Sequence, residues 1–388
     1  MTDHAFTHQR IPRLEVEIRR PKPEGQKKAE FRNPNTETRC RGRFAFRPSG
    51  FGLLSAFDLR ASDLTRSRGA VFVLVPILLS MLLATNLHAE KTFAERLGWK
   101  ANDVVVILHV DDMGMSHSSN LGGIETVEKG VTTSWSVMMP CPWVPEIAKY
   151  LKQHPNVDSG LHLTHTSEWS LYRWQPLAGK PKAPGLVDGE GCLWPSVEQV
   201  AEHATPDEVE TEIRAQLDRA EQLGIPITHL DSHMGTLFAR PDYFERFARV
   251  GIERGIPILV IGGHGTYMLK ENPEVSGKLH SWIPKIWNAG LPVIDDLHTD
   301  SYVWKPEQKT EKFIALLKEL KPGVTEIIFH ASIPTDDFPL ITSSSASRLA
   351  DTRALADPAV KQLIQERGII LTTWKELKER RKKAGAME

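Results

Sequence analysis

The segment His109-Val110-Asp111-Asp112-Met113-Gly114 follows the apolar run 104–108, so two adjacent carboxylates stand at the end of an expected buried strand. Carboxylates in that position can hold a divalent cation or take a proton from water. Neighbouring strand residues point to opposite faces. Met113-Gly114 offers a turn that lets one carboxylate bind metal while the other stays free beside it. The competing role is capping of a helix after Ser116. Two later segments repeat the theme: Gly160-Leu161-His162-Leu163-Thr164-His165 and His229-Leu230-Asp231-Ser232-His233. His162 and Thr164 share one strand face, and a histidine in so apolar a run is costly to bury unless it bonds or binds. His229, Asp231 and His233 alternate in the same way. One Asp and two His form a set of hard and borderline donors suited to zinc, iron, manganese or cobalt, with positions left for water and substrate. His330 ends the apolar run 327–329 and reads equally as a core or capping histidine or as a catalytic one.

These residues need elements to position them. From residue 100 onward, short β-rich runs alternate with amphipathic stretches. Strands are predicted over 104–108, 157–166, 225–230, 256–261, 326–330 and 369–373, and a short helix over 124–129. Thr205-Pro206-Asp207-Glu208 is a helix start with a capping hydroxyl, a first-turn proline and a glutamate three residues on. Val209, Ile213, Leu217, Ala220 and Leu223 then mark one stripe that ends at Gly224. Further helices are predicted over 241–251, 306–320 and 358–366. The alternation argues an α/β fold with parallel strands. Site candidates at several strand ends favour a TIM-barrel-like arrangement, (β/α)7 or a distorted (β/α)8, over an open sheet. No GxGxxG follows a strand, as a dinucleotide-binding open sheet would show.

The chain has 388 residues, is 40% hydrophobic and 25% charged, and carries a formal net charge of -1. With no basic stripe or nucleic-acid motif, that balance gives no reason to propose DNA or RNA as a partner. The three cysteines Cys40, Cys141 and Cys192 form no CxxC pair. A Cys141–Cys192 bridge is possible in an oxidising compartment, although two isolated cysteines also fit plain core or loop positions.

Residues 1–69 are rich in Arg, Pro and Lys and predict no folded domain. They lead into the apolar stretch 70–84, preceded by Arg66 and Arg68 and followed by Ala89. That length is short for a membrane span and suits a signal-peptide core, so 70–89 predicts export to the periplasm or beyond. Its depth in the chain suggests that 1–69 is a mis-called extension; an uncleaved anchor is the alternative. The barrel is then expected over 100–380. Two long regions, 167–203 and 262–304, interrupt the alternation and are rich in tryptophan, including Trp169, Trp174, Trp194, Trp282, Trp287 and Trp304. Connections of this length are usually functional or disordered. The aromatics of 167–203 suit either a groove for a sugar ring or the packing of the loop onto the barrel rim.

Taken in order, the motifs resemble the YdjC-like carbohydrate deacetylases, the group that includes chitooligosaccharide deacetylases. The resemblance rests on 110–116 with Asn120, Gly122-Gly123-Ile124, 130–134, 160–164, Thr228 through His233, and His330, and it spans about 104–374. It implies a TIM-barrel-like fold, a divalent metal ion (zinc or magnesium) at the C-terminal mouth, and hydrolysis of N-acetyl groups from amino sugars. Carried over by motif, Asp112, His162 and His233 are the metal ligands, Asp111 is the general base and His330 the acid. Asp231 is expected to orient His229 or His233 from behind. The substrate is then an acetylated sugar or oligosaccharide.

Two departures bear on substrate. Where the family continues the third motif with further histidines, this chain has Met234-Gly235-Thr236-Leu237, and His109 stands where the family has asparagine. His109 shares a strand face with Asp111 and is expected either to tune that carboxylate or to reach a substrate hydroxyl. The alternatives to a deacetylase are a related metal-dependent hydrolase of another ester or amide, and a noncatalytic carbohydrate-binding barrel.

Overall fold

The computed structural model describes residues 90–272 and 280–386. The extension 1–69 and the signal-like segment 70–89 lie outside the described residues.

Strand β1 (Val104–Met113) is the centre of the sheet. It is buried almost throughout, as expected of a continuous apolar run in a parallel sheet covered on both faces. Its neighbours are β2 (Ser134–Val137), β3 (Ser159–Leu163), β4 (Leu230–Ser232), β5 (Asp296–His298), β6 (Gly323–His330) and β7 (Ile370–Leu371). All the pairings are parallel, in the order β4-β3-β2-β1-β6-β5, with β7 on the lower edge of β1 at Val105 and Val106. Single bridges, Leu230 to Ile258 and Ile261 to Ile294, carry the segment between β4 and β5 and bring the two sheet edges round. The result is an open, distorted barrel flanked by helices.

The helix between β3 and β4 (Pro206–Leu223) begins as its sequence predicts. Thr205 and Glu208 make both halves of the capping box, and Gly224 closes the helix at φ 69°. Other expectations need correction. The short helix expected over 124–129 is the tail of a longer one, His117–Glu128, whose cap is Ser116 accepting from the Ser119 N–H. The aspartate pair therefore does not cap it. Gly122 lies on that helix because a Cβ there would stand 2.4 Å from the Ser332 backbone. The strand expected over 225–230 begins only at Leu230, and 256–261 makes isolated bridges. Within 262–304, the polar run Asp296–His298 forms β5.

The long region 167–203 is tied down by its own polar atoms. The Trp174 and Trp194 indoles donate to the Thr166 and Gly185 carbonyls, and Tyr172 donates to the Met115 carbonyl at 2.5 Å. Glu212, buried on Pro206–Leu223, accepts from the Leu177 and Ala178 N–H groups through separate oxygens, at 3.0 and 2.8 Å. Tyr172, Trp174 and Glu212 thus tie the loop to the rim, and Trp194 holds the loop to itself. Cys141 and Cys192 are both free thiols.

Candidate metal centre

Parity along the strands decides what faces the barrel interior. His109 and Asp111 on β1 and Glu326 and His330 on β6 share that side, because Asp111 pairs with His330 and the strands run in register. On the other flank His162 of β3 lies directly beside Asp231 of β4. Asp112 would face away, but its backbone is left-handed, with φ 65°. That conformation is uncommon outside glycine, and aspartate is among the residues that tolerate it best. The turn expected at Met113-Gly114 is present, with Gly114 at φ 81° and the Met115 N–H donating to the Asp112 carbonyl, and it is preceded by the left-handed Asp112 conformation that parity does not foresee. That conformation brings both carboxylates to one pocket.

Asp112, His162 and His233 converge, with candidate ligand atoms all within 4.8 Å of one another. Asp112 Oδ1 lies 3.4 Å from His162 Nε2 and 3.4 Å from His233 Nδ1. Each histidine is fixed from behind by a carboxylate. His162 Nδ1 meets Asp231 Oδ1 at 2.6 Å, and His233 Nε2 meets Glu168 Oε2 at 3.1 Å. These contacts leave Nε2 of His162 and Nδ1 of His233 as the nitrogens turned to the centre. Asp231 therefore orients His162; His229, expected as its partner, is farther at 3.8 Å, and His233 belongs to Glu168. The reason is register, since His162 and Asp231 are cross-strand neighbours while His233 lies beyond the end of β4. His229 instead stacks on Trp374 at 5.3 Å. Gly160 makes room for it, since a Cβ there would sit 2.4 Å from the His229 ring.

The electrostatics favour a cation. Burial opposes ionisation of Asp112, but Arg348 outweighs it and, with His233, holds the carboxyl well below the usual range. Arg348 Nη1 stands 2.6 Å from Asp112 Oδ2, while the buried Oδ1 accepts no hydrogen bond. His233, although burial disfavours its cation, is pushed up to about 10 by Glu168 and Asp112. His162 is likewise raised against its burial by Asp111 and Asp231. A pocket that draws protons onto two buried imidazoles has surplus negative charge. An orphaned carboxylate oxygen between two oriented histidine nitrogens fits a divalent ion.

Asp111 and His330 flank this set. Asp111 Oδ1 accepts from Ser136 Oγ at 3.4 Å, and Oδ2 lies 3.7 Å from both His162 Nε2 and His330 Nε2. His330 is pushed down to about 4 by burial, which the Asp112 and Asp111 charges offset only in part. Its backbone N–H donates to Asp351, which is paired to the buried Lys309, and Tyr302 packs edge-on against its ring at 4.8 Å. His109 is fully buried, so it reaches no substrate hydroxyl; it lies against Asp111 at 3.2 Å.

Three residues of the site escaped the sequence reading. Glu326 had a signal, as an acid two and four residues before Ile328 and His330 on one strand face. Glu168 follows the β3 motif closely, but strand parity does not extend into its loop. Arg348 sits on the helix Ser345–Ala356 among ordinary helical residues, and nothing in its neighbours marks it.

The family described as YdjC-like protein matches residues 105–366. A carbohydrate deacetylase of Thermus thermophilus is 30% identical over 290 residues, covering 74% of this chain and 97% of its own length. A chitooligosaccharide deacetylase of Proteus mirabilis is 27% identical over 278 residues, covering 70% of this chain and 98% of its own. Among solved structures, a protein of Enterococcus faecalis V583 named for cellobiose-phosphate cleavage superposes with a TM-score of 0.62 at 22% identity, over 71% of this chain and 99% of that one. That likeness speaks to the fold. The family match covers most of the folded region and includes every residue of the centre described above, and the chain belongs to the YdjC-like family.

Proposed function

We propose that the protein is a metal-dependent hydrolase that removes N-acetyl groups from amino sugars or acetylated oligosaccharides. The observation that carries this reading is the convergence of Asp112, His162 and His233 on one point, with Asp111 and His330 beside it. Asp112, His162 and His233 would hold the ion. When bound, a divalent ion polarises the acetyl carbonyl and lowers the pKa of an attacking water.

The rest belongs to the chain's own groups. Asp111 Oδ2, turned to the centre, takes the proton of the water as its oxygen adds to the acetyl carbon. His330 is neutral at rest, so it must collect the proton it gives to the departing amine. Asp111 Oδ2, 3.7 Å from Nε2, is the carrier in reach. The C–N bond breaks, the amine leaves with that proton, and acetate and a free amino sugar result. The relatives named carbohydrate deacetylase and chitooligosaccharide deacetylase support the substrate class.

The test is acetate release from a panel of acetylated amino sugars, chitin oligomers and simple esters, before and after chelation. Release from amino sugars that chelation stops and added divalent ion restores is the expected result. Turnover of esters alone would move the reading to another hydrolase, and no chelation-sensitive release from any substrate would overturn it.

A further inference from the structure

We propose that His109 and Glu326 form a buried positioning pair, in which one imidazole anchors both Asp111 and the carboxylate behind His162. The proposal rests on the reading of Asp111 as the base. His109 Nε2 lies 3.2 Å from Asp111 Oδ1, 3.2 Å from Asp231 Oδ2 and 3.1 Å from Ser136 Oγ. On the other side of the ring, Nδ1 faces Glu326 Oε1 at 3.3 Å. The imidazole is completely enclosed, and the His229 ring packs edge-on against it at 5.1 Å as a further titratable neighbour.

The consequence is geometric. Asp111 has one oxygen, Oδ1, taken up by His109 and Ser136, so its other oxygen is the one presented to His330 and the pocket. Asp231 is divided in the same way, with Oδ2 on His109 and Oδ1 on His162 Nδ1. A single ring thus sets the angle of the base and, through Asp231, of one metal-facing histidine. Glu326 acts on the ring from behind through its charge, since Nδ1 at 3.3 Å makes no hydrogen bond, and is itself placed by Trp374, whose indole donates to it at 3.5 Å. Carboxyl groups at both ring nitrogens favour the imidazolium, although burial pushes Glu326 itself up to about 8. His109 is accordingly raised well above the usual histidine range, its burial being outweighed by Glu326, Asp111 and Asp231.

A merely space-filling His109 would contribute to stability and leave turnover alone. The test therefore compares His109→Asn, Glu326→Gln and the double variant. A positioning role lowers kcat by about 10–100-fold in His109→Asn, the usual cost of losing an outer partner, with KM within about twofold. Glu326→Gln lowers kcat in the same sense, and the double variant is no worse than His109→Asn, because the two act through one ring. Unchanged kcat with a lowered melting temperature, or fully additive losses, would overturn the pair. A second readout needs no turnover: nitrogen-15 histidine spectra of the metal-free protein. These are expected to show two protonated ring nitrogens for His109. Glu326→Gln shifts Nδ1 and Asp111→Asn shifts Nε2, while the His165 signals stay put. A His109 ring with one proton, indifferent to both substitutions, refutes the pair. If the wild-type protein releases acetate from nothing, the hydrolase reading fails, and the spectra still decide whether His109 and Glu326 anchor Asp111.

Discussion

Glu168 closes on His233 from the side opposite the centre, its Oε2 3.1 Å from Nε2, and so leaves Nδ1 as the nitrogen that meets Asp112. A carboxylate so placed fixes the tautomer and raises the basicity of a ligand imidazole. Glu168→Ala is expected to weaken divalent-ion binding by about 10–100-fold. Calorimetric titration of the metal-free protein with zinc checks this; unchanged affinity would remove Glu168 from the site.

On the proposed reading Asp111 is the base beside Asp112, His162 and His233 and leaves the ion to them. Asp111→Asn should therefore retain metal while kcat for acetate release falls by roughly 10²–10⁴-fold, the range attributed to a positioned acid or base. Elemental analysis of the variant alongside its kinetics separates a lost base from a lost ion.

Metal removal should also cost stability. An ion bound only by the folded chain stabilises it by about 2.7 kcal/mol at a free concentration of 100 Kd. Dialysis against a chelator is expected to lower the melting temperature, and restoring the ion to recover it. Asp112→Asn, which weakens the central ligand, should melt at the same temperature with or without the ion.

His165, buried three residues beyond His162 and within reach of the His233 charge, supplies a further pH dependence. Burial pushes it from 6.5 down to about 4, so the folded state holds it neutral and the unfolded chain binds its proton more readily. Its contribution is complete above pH 6.5 and is lost as pH falls from 6.5 towards 4. The loss is about 3 kcal/mol at most. Urea unfolding across that interval should show the decline, and His165→Gln should flatten it.

Glu212 holds the tryptophan-rich region through two acceptor oxygens, each facing a backbone N–H. Glu212→Gln keeps the shape but turns an amide donor towards one of those donors. A destabilisation of about 1–3 kcal/mol is expected, the usual cost of an unsatisfied buried polar group. A shift of the urea midpoint at constant slope measures it.

Where local rules act alone, the sequence is a good guide. Thr205 and Glu208 sit three residues apart and make the capping box that spacing implies. Alternation likewise points to Asp111, His162 and Asp231, because strands set direction by parity. β5 is hidden for the opposite reason. Its acids look like loop residues, yet Asp296 accepts from the Tyr267 and Met268 N–H groups, and the preceding Asp295 from those of Phe93, Ala94 and Val324. Their partners are distant in the chain, and no local pattern announces them. Arg348 and Glu168 reach the site from a helix and a loop, where strand parity says nothing. Asp112 depends on one backbone torsion, which composition cannot show.

The region 167–203 touches the centre through Glu168 on His233, Trp174 edge-on to His233 at 6.5 Å, and Tyr172 on the Met115 carbonyl. A surface insertion that merely framed the mouth could be exchanged between relatives as a specificity cassette. Here the same stretch holds the tautomer of His233, the proposed ligand, so grafting another relative's loop is expected to alter the reaction centre along with the choice of sugar. Variation in this lineage is expected to move the loop and the ligand shell together, as one inherited block.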